Sequence, residues 1–387
     1  MPPGSRTIEE EGVLNEGMKI VKTGRLCEEK LKAWLNSGKY PARNPDQNIA
    51  DIRAQIAANE NGLQELRKMV EGFSIETVEA YMGHVQNNAE EAVRRVIYRL
   101  TDGEFTYLFD DGNAIKVKIT IDHNNRDVRI DFMGTSSQLS NNFNDPASVC
   151  IAAVLYVFRT LVKSDIPLNA GCLRPLEIVI PDGFLLRSPP PAAIVVGNVE
   201  TAPYIVDALF GALGVLAASQ GTMNNFTFGN ADFQYYETTC GGVGAGPGFS
   251  GTDAIHTHIT NSRITDPEVL EARFPVLLEE FSIRQGSGGN GKFRGGNGVI
   301  RKFRFLKDMN VAILSSHRKL PPFGLKGGMP GKCGKNMLIR RDCRVIEVEG
   351  QAELNLKNGD IFVIETPGGG GYGRHVPHSP AKNKSST

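Results

Sequence analysis

The sequence predicts an α+β fold, and two changes in the period of the apolar residues support this prediction. Between residues 49 and 100 apolar residues recur every three or four positions, which is typical of amphipathic helices. The period then drops to two, and beyond residue 265 short apolar runs alternate with glycine-rich segments. We therefore expect a helical hairpin and an antiparallel meander, followed by a mixed glycine-rich core and a β-rich C-terminal unit.

These patterns divide the chain into four regions. We expect a mainly helical N-terminal region at residues 1–100, an α+β core with the candidate site at 101–265, a β-rich region at 266–373 and a disordered tail at 374–387. The tail is polar and has no period, so it cannot bury enough apolar surface to fold. Several sub-domains are expected, because a chain of 387 residues exceeds what one core usually organises.

Individual elements follow from local signals. Two helices meet near Gly72, and Ser74 with Thr77 predicts the start of the second. Period-two runs between residues 104 and 132 predict three strands, with tight turns at Asp111-Gly112 and Asn124-Asn125. Further helices are expected at residues 149–162 and 201–218, and the C-terminal strands at VLLEEFSIR, VIRKFRF, NVAIL, VIEV and IFVIE.

Composition limits the partners. The formal net charge is zero with a pI near 7.1, and basic residues are spread along the chain, so neither nucleic acid nor an anionic membrane is an expected partner. The six cysteines form no CxxC pair, and no apolar run reaches the roughly 18 residues that span a bilayer. We expect a cytoplasmic protein. Its opening residues lack an element that could begin a domain, which predicts a missing upstream part.

The candidate site lies in residues 197–263, where a short apolar helix gives way to a polar, glycine-rich run. Glycine lets the backbone approach a ligand closely, and the run offers amides, hydroxyls and one carboxylate. The predicted catalytic residues are Glu237, a general base if burial raises its pKa, together with His256 and His258. The predicted substrate-binding residues are Asn224, Asn225, Thr238 and Asn261. For Asn224 and Asn225 the alternative is hydrogen bonding to loop backbone.

His256 and His258 would project from one face of a strand, about 7 Å apart. That spacing suits a metal ion or an anionic substrate, and Asp253 or Glu237 could add oxygen ligands. An HxH pair can also satisfy a hydrogen bond in a core, so metal ligation stays open.

Two other features contain residue types that could carry chemistry. Cys240 has no identifiable neighbouring base, so a packed, unreactive thiol is favoured. The glycine run at residues 286–298 matches neither GxxxxGK[ST] nor GxGxxG and precedes no helix, so no nucleotide-binding motif is identified. The run at residues 367–373 predicts a flexible tight turn.

Several long motifs resemble the hydantoinase B/5-oxoprolinase family, which includes subunits of acetone and acetophenone carboxylases. The resemblance runs from Pro2 to about Gly373 and rests on GNVETAPYIVDALFGALG, ASQGTMNNFTFGN, YYETTCGGVGAGPGFSGTDAIHTHITNSRITDPE, SIRQGSGGNGKFRGGNG and ETPGGGGYG. It implies an ATP-dependent reaction at an amide or ketone carbonyl. A hydantoinase A-type partner subunit or domain would bind ATP and phosphorylate the substrate oxygen, so a hetero-oligomer is expected.

The resemblance also implies what this chain lacks. Family members carry an N-terminal segment with HxPD and GHHADIGG-like elements suited to a divalent metal (Mg, Mn or Zn), and neither occurs in these residues. The favoured reaction is the opening of a cyclic amide, hydantoin or 5-oxoproline. The alternatives are ketone carboxylation and a truncated, non-catalytic scaffold subunit.

Overall fold

The computed structural model describes residues 3–15, 17–39, 41–42 and 44–374. The chain forms two compact units, each built from three separate segments. Unit 1 comprises Met1–Leu100, Thr120–Ile130 and Ser137–Gly197, and unit 2 comprises Thr101–Ile119, Asp131–Ser136 and Asn198–Thr387. The four predicted regions are continuous in sequence, whereas these units interleave. Beyond Arg374, the predicted tail lies outside the described residues.

The described residues contain six α-helices and fifteen strands, which confirms the predicted α+β class. The helices are α1 Glu28–Leu35, α2 Pro45–Phe73, α3 Ile75–Ile97, α4 Ala147–Leu161, α5 Ala202–Leu213 and α6 Pro267–Arg273. The strands are β1 Val21–Lys22, β2 Arg25–Leu26, β3 Gly103–Leu108, β4 Ala114–Asp122, β5 Asp127–Asp131, β6 Leu176–Val179, β7 Asn225–Gly229, β8 Gln234–Glu237, β9 Val276–Ile283, β10 Val299–Phe305, β11 Met309–Leu314, β12 Lys335–Ile339, β13 Val345–Val348, β14 Gln351–Leu356 and β15 Ile361–Glu365.

Helices α2 and α3 begin where capping residues satisfy free backbone N–H groups. Asn44 caps α2, its Oδ1 accepting from the Gln47 N–H at 3.2 Å. The predicted junction near Gly72 lies at Ser74, whose φ of 68° breaks the helical path. Ser74 Oγ then accepts from the Thr77 N–H at 3.4 Å, which confirms the predicted start of the second helix.

The predicted meander is present. Strands β3 and β4 pair antiparallel with Phe105 opposite Val117, and the sheet order is β3-β4-β5-β6. Strand β4 alternates strictly between buried and exposed positions, as a strand with one face on a core should. The division between the two units runs through β4.

Helix α5 is buried on every side from Ala202 to Gly211. It packs on β3 so closely that a Cβ on Gly103 would lie 2.1 Å from the carbonyl oxygen of Ala212. The helix ends at Leu213 and not at the predicted residue 218. Its end is fixed because Gly214 adopts a φ of 68° and the Val215 N–H donates back to the Phe210 carbonyl at 3.2 Å.

The C-terminal strands form two antiparallel sheets with the orders β13-β12-β15-β10-β9 and β14-β11-β7-β8. Aromatic side chains from both sheets make one core, in which Phe226 stacks on Phe303 and Phe362 with ring centroids 4.9 and 5.2 Å apart. All five strands predicted for this part of the chain are present.

Four glycine-rich segments of unit 2 lie outside its named strands. Their backbones are joined to one another by hydrogen bonds outside the named strands. We call these segments, residues 241–246, 286–298, 324–331 and 367–373, the glycine lattice. The Gly296 N–H donates to the Val243 carbonyl at 2.8 Å, and the Gly369 N–H donates to the Gly296 carbonyl at 2.9 Å. The Gly371 N–H donates to the Met329 carbonyl at 2.9 Å.

The segments of the lattice lie too close together for side chains. A Cβ on Gly369 would lie 2.1 Å from the carbonyl oxygen of Val243, and one on Gly242 would lie 2.0 Å from that of Gly296. Residues 366–371 are all buried. The segment predicted as a flexible tight turn is therefore a buried part of this lattice, and the glycines are needed for close packing of backbones.

Within the described residues, no helix is both long enough and apolar enough to cross a membrane.

We predict that Gly369→Ala destabilises the protein by about 3 kcal/mol or more, because the new methyl group would collide with backbone that cannot move aside. Gly62→Ala is the matched control. Its Cβ would meet no atom within 4 Å, and alanine should favour α2 by up to about 1 kcal/mol. Urea unfolding followed by circular dichroism measures both. Equal stabilities for the two variants would contradict close packing at Gly369.

Candidate functional site

A buried polar segment, residues 219–225, forms the centre of the candidate site in unit 2. It lies beside residues 237–242, which are also buried: the Thr239 N–H donates to the Met223 carbonyl at 2.9 Å, and the Gln220 N–H donates to the Gly242 carbonyl at 2.9 Å. The sequence pattern thus places side-chain amides, hydroxyls and carboxylates inside the protein. Burying them is costly unless each finds a partner.

Glu200 accepts the hydrogen bonds that several side chains of this segment donate. It lies in a single π-helical turn, Gly197–Thr201, immediately before α5, and it is fully buried. Its Oε1 accepts from the Thr222 hydroxyl at 2.9 Å and the Asn225 amide at 2.8 Å, and its Oε2 accepts from the Ser316 hydroxyl at 2.5 Å. Burial raises the pKa of Glu200 to about 7, against the effect of these hydrogen bonds. The carboxyl group can therefore gain or lose a proton near neutral pH.

Asn224 and Asn225 hold this segment together. Asn224 has a φ of 44°, and its Nδ2 donates to Gln220 Oε1 and to the Thr239 carbonyl, both at 3.1 Å. Its Oδ1 accepts from Arg318 Nη2 at 2.9 Å. Asn225 also donates to the Leu314 carbonyl at 3.0 Å. Both side chains thus bond to backbone carbonyls, which is the alternative stated above, and both also contact side chains with ionisable groups, Arg318 and Glu200.

Glu237 is paired with Arg301. The guanidinium donates from Nε to Oε1 at 2.8 Å and from Nη2 to Oε2 at 2.9 Å, and the Tyr235 hydroxyl donates to Oε2 at 2.6 Å. Burial raises the pKa of Glu237, while Arg301 and Tyr235 oppose the shift. Both carboxylate oxygens are therefore occupied, which favours a fixed charge pair over an open base in this arrangement.

The two histidines do not share a strand, so that prediction is wrong. Residues 256–260 form a loop with a turn, and His258 has a φ of 57°, which strand geometry does not allow. His258 Nε2 lies 3.0 Å from Asp207 Oδ1, a buried carboxylate oxygen that also accepts from the Ser219 N–H at 3.2 Å. The structure therefore gives the two imidazoles different surroundings.

His256 is half-buried, and neither of its ring nitrogens has a hydrogen-bond partner among the described residues. Burial lowers its pKa, so the neutral imidazole is favoured. Thr238 is buried and its hydroxyl likewise finds no partner within the described part of the chain, whereas Asn261 is exposed. His256 and Thr238 are thus the predicted site residues with hydrogen-bonding capacity to spare.

A second buried pair borders the segment. The Tyr107 hydroxyl lies 2.5 Å from His317 Nε2, and His317 Nδ1 lies 2.6 Å from the Leu320 carbonyl oxygen. Because a carbonyl only accepts, Nδ1 carries the proton and Nε2 accepts from Tyr107. A Cβ on Gly221 would lie 2.5 Å from that Nε2, so His317 packs directly on the polar segment.

The described residues do not form a metal site. Across the described ranges, no group of three or more His, Cys, Asp or Glu side chains is placed to hold a metal ion. Three N–H groups of the glycine run at residues 286–298 are bound within the chain: Asn297 Oδ1 accepts from Ser287 and Gly288, each at 3.0 Å, and Gly298 donates to the Ser287 hydroxyl at 2.8 Å.

Sequence reasoning missed Glu200, Asp207, Arg301 and Arg318. Glu200 and Asp207 lie in the stretch singled out from the sequence, but an acidic residue in or before a helix normally indicates a solvated position. Arg301 lies within a strand pattern of period two that contains other basic residues, and nothing in the sequence shows that Arg301 is the buried one. The one available signal was charge inside apolar helix α5, where Asp207 interrupts an otherwise uncharged sequence.

Comparison with known proteins agrees with the motifs. The model of the hydantoinase B/oxoprolinase family matches residues 1–375. The chain belongs to the hydantoinase B/oxoprolinase family. A 5-oxoprolinase of Dictyostelium discoideum is 42% identical over 383 residues, which cover 97% of this chain and 30% of that protein. This chain therefore spans less than a third of that relative.

Two solved structures share the fold. An ATP-dependent caprolactamase from Pseudomonas jessenii superposes with a TM-score of 0.79 at 21% identity, covering 92% of this chain and 66% of that one. A nucleotide-free acetone carboxylase superposes with a TM-score of 0.81 at 17% identity, covering 96% of this chain and 58% of that one. At these identities the likeness concerns the family fold.

We predict that Glu200 makes stability depend on pH. Its pKa of about 7 in the folded protein lies above the roughly 4.3 of an unfolded chain. Its contribution is therefore fully present below about pH 4.3, declines as pH rises to about 7, and amounts to roughly 4 kcal/mol. Glu200→Gln keeps an oxygen that can accept from Thr222 and Asn225 but cannot titrate, so it should abolish the decline of stability with pH.

Urea unfolding at several pH values measures the effect, with Glu347→Gln, an exposed position on β13, as the control. The control should keep the wild-type profile. A Glu200→Gln profile identical to that of the wild type would show that Glu200 is not the titrating group.

Proposed function

We propose that this chain is the hydantoinase B-type component of an ATP-dependent hydrolase that opens a cyclic amide of the hydantoin or 5-oxoproline class. The observation that supports this most strongly is the 42% identity, over 97% of the chain, to a protein named 5-oxoprolinase. A solved neighbour named as an ATP-dependent caprolactamase agrees with this proposal, because caprolactam is also a cyclic amide.

The work would be divided between two components. A hydantoinase A-type subunit or domain would bind ATP and phosphorylate the amide oxygen, and this chain would hold the resulting phosphorylated imidate for attack by water. Two facts support the division: this chain spans 30% of the 5-oxoprolinase relative, and the N–H groups of Ser287 and Gly288 in its glycine run donate to Asn297 of the same run. The ATP site would then lie on the partner, in a hetero-oligomer.

We assign proton transfer to His256, because its neutral imidazole has two ring nitrogens without partners among the described residues. Glu200, which accepts hydrogen bonds from Thr222 and Asn225 of the polar segment, has a pKa near 7 and can hold or release a proton there. Glu237, paired with Arg301, and His258, paired with Asp207, would stabilise charge that develops on the substrate and would not transfer protons themselves. Substrate contacts would come from the predicted amides and hydroxyl, those of Asn224, Asn225, Thr238 and Asn261.

Because the residues described here do not fit a metal ion, we derive no step through one. The six cysteines are all free thiols, which agrees with a reducing compartment such as the cytoplasm.

We predict that His256→Ala lowers kcat for ATP-dependent 5-oxoproline hydrolysis at least 100-fold in the reconstituted complex, because the loss of a general acid or base costs about that much. Glu237→Gln should also reduce turnover. His123→Ala, at an exposed turn, is the control and should leave kcat unchanged.

The assay combines this chain with its A-type partner and follows ring opening and ATP hydrolysis together. Wild-type turnover in both His256→Ala and Glu237→Gln would contradict the assignment of the site. Consumption of a ketone with bicarbonate and ATP, without lactam opening, would replace the proposal by ketone carboxylation. A complex whose activity does not require this chain would identify it as a scaffold.

A further inference from the structure

Arg301 is a charged side chain with an unused hydrogen-bonding edge inside unit 2. On β10 it occupies one of the buried positions, with Val299, Phe303 and Phe305, and none of its surface is exposed. Glu237 occupies Nε and Nη2, which form one of the two edges at which a guanidinium can hold a pair of oxygen atoms. Nη1, at the other edge, has no hydrogen-bond partner among the described residues.

The aromatic rings beside Arg301 do not replace that partner. The ring centroids of Phe281 and Phe303 each lie 5.0 Å from the guanidinium carbon. An aromatic face attracts the positive charge but supplies no strong hydrogen-bond acceptor. A charged N–H group that loses contact with water and gains no acceptor is costly, so this edge favours an acceptor from outside the chain.

Neighbouring segments carry further hydrogen-bonding groups of this kind. Thr238 and Thr239, which directly follow Glu237, are buried, and neither hydroxyl has a partner within the described part of the chain. The same holds for both ring nitrogens of His256. Each of these side chains can donate a hydrogen bond. Together with Nη1 they suit a ligand group whose oxygen atoms carry negative charge.

Backbone hydrogen bonds bring these segments together. Gly241 and Ile255 exchange two such bonds, at 3.3 and 2.9 Å, which places the segment of the histidine beside that of the two threonines. The Ala254 N–H donates at 3.0 Å to the carbonyl of Asn297, which lies just before β10. The buried guanidinium–carboxylate pair is also close enough to act electrostatically on the Cys240 thiol. The unused edge and the other donors therefore belong to one region of unit 2.

We propose that Arg301, with Thr238 and His256, binds an anionic oxygen group of the substrate, either a carboxylate or the phosphoryl group of the phosphorylated imidate. This inference rests on the proposed function and names the chemistry recognised at that same site. A guanidinium edge matches two oxygen atoms of either group, and Glu237 keeps it oriented by holding the other edge. 5-Oxoproline carries a carboxylate, whereas hydantoin and caprolactam do not, so a carboxylate contact selects among cyclic amides.

Phe281 is the cover of this group. It lies on β9, the edge strand of its sheet, and 43% of it is exposed, whereas Arg301 is fully buried. In the proposed arrangement the Phe281 ring turns aside to admit the anion and then returns. Exclusion of water by the ring strengthens the attraction between the anion and the guanidinium.

The test is calorimetric titration of the complex reconstituted with the A-type partner, without ATP so that no turnover occurs. The probes are 5-oxoproline, 2-pyrrolidinone, which is the same ring without the carboxylate, and inorganic phosphate. If the anion is the carboxylate, 5-oxoproline binds at least about 100-fold more tightly than 2-pyrrolidinone, and Arg301→Lys removes that difference. If it is the phosphoryl group, the two lactams bind equally and Arg301→Lys weakens phosphate binding about 100-fold.

Thr238→Val tests the site without disturbing the ion pair, because the lost hydroxyl has no partner among the residues that the structure describes. It should weaken binding of the same probe about 10-fold and leave the midpoint of urea unfolding unchanged. The matched controls are Arg304→Lys, on the same strand with Nε donating to Glu279 at 2.6 Å, and Thr106→Val at an exposed position of β3. Both controls should bind the probes as the wild type does.

Unchanged binding of all three probes in Arg301→Lys and Thr238→Val would overturn the inference and leave Arg301 as a structural partner of Glu237. A wild-type complex that binds none of the probes would overturn it as well. Should Arg301→Lys fail to fold, Thr238→Val decides alone. Failure of the proposed function has a different outcome: a complex that binds 5-oxoproline through Arg301 but does not hydrolyse it with ATP would contradict the hydrolase proposal only.

Discussion

The close approach of glycine backbones is the constraint on which unit 2 depends. In the glycine lattice a carbonyl oxygen occupies the position that a Cβ would need, so the segments can exchange hydrogen bonds outside any regular sheet. The lattice also fixes the polar segment of the candidate site. The Gly370 N–H donates to the Ala218 carbonyl at 2.8 Å, and a Cβ on Gly244 would lie 1.9 Å from the Ala217 carbonyl oxygen. The backbone that leads into the site is thus held from two sides.

This rigidity explains how the protein can bury so many polar groups in one place. A carboxylate inside a protein is tolerated only if donors already point at it, because a mobile donor would have to be ordered at a cost in entropy. Glu200 receives donors from Thr222, Asn225 and Ser316, and Glu237 receives two from Arg301. Some buried polar atoms find no partner among the described residues, including both ring nitrogens of His256, the Thr238 hydroxyl and Arg301 Nη1. We therefore keep His256 as the proposed proton-transfer residue, because its neutral imidazole can both donate and accept a hydrogen bond.

Much of the fold could be predicted because the spacing of apolar residues along the sequence distinguishes helices from strands. Patterns that extend over only a few residues predicted the cap at Ser74, the meander and the C-terminal strands. The motifs were long enough to indicate the family. The lattice could not be predicted, because glycine signals conformational freedom and says nothing about which backbone will pack against it. Side-chain partners were equally hidden: Glu237 meets Arg301 across 64 positions of sequence. The strand predicted for His256 and His258 failed because alternation over three residues is too short to exclude a turn.

Hydrogen exchange at individual backbone amides tests most directly whether the lattice is a rigid scaffold. We predict that the amides of Gly296, Gly369 and Gly370 exchange as slowly as those of the buried strand β15, because they open only when unit 2 unfolds. The amide at Gly112, in the exposed turn after β3, should exchange orders of magnitude faster. If the lattice amides exchanged at the rate of Gly112, these segments would be flexible loops, and the account of how the candidate site is held would be contradicted.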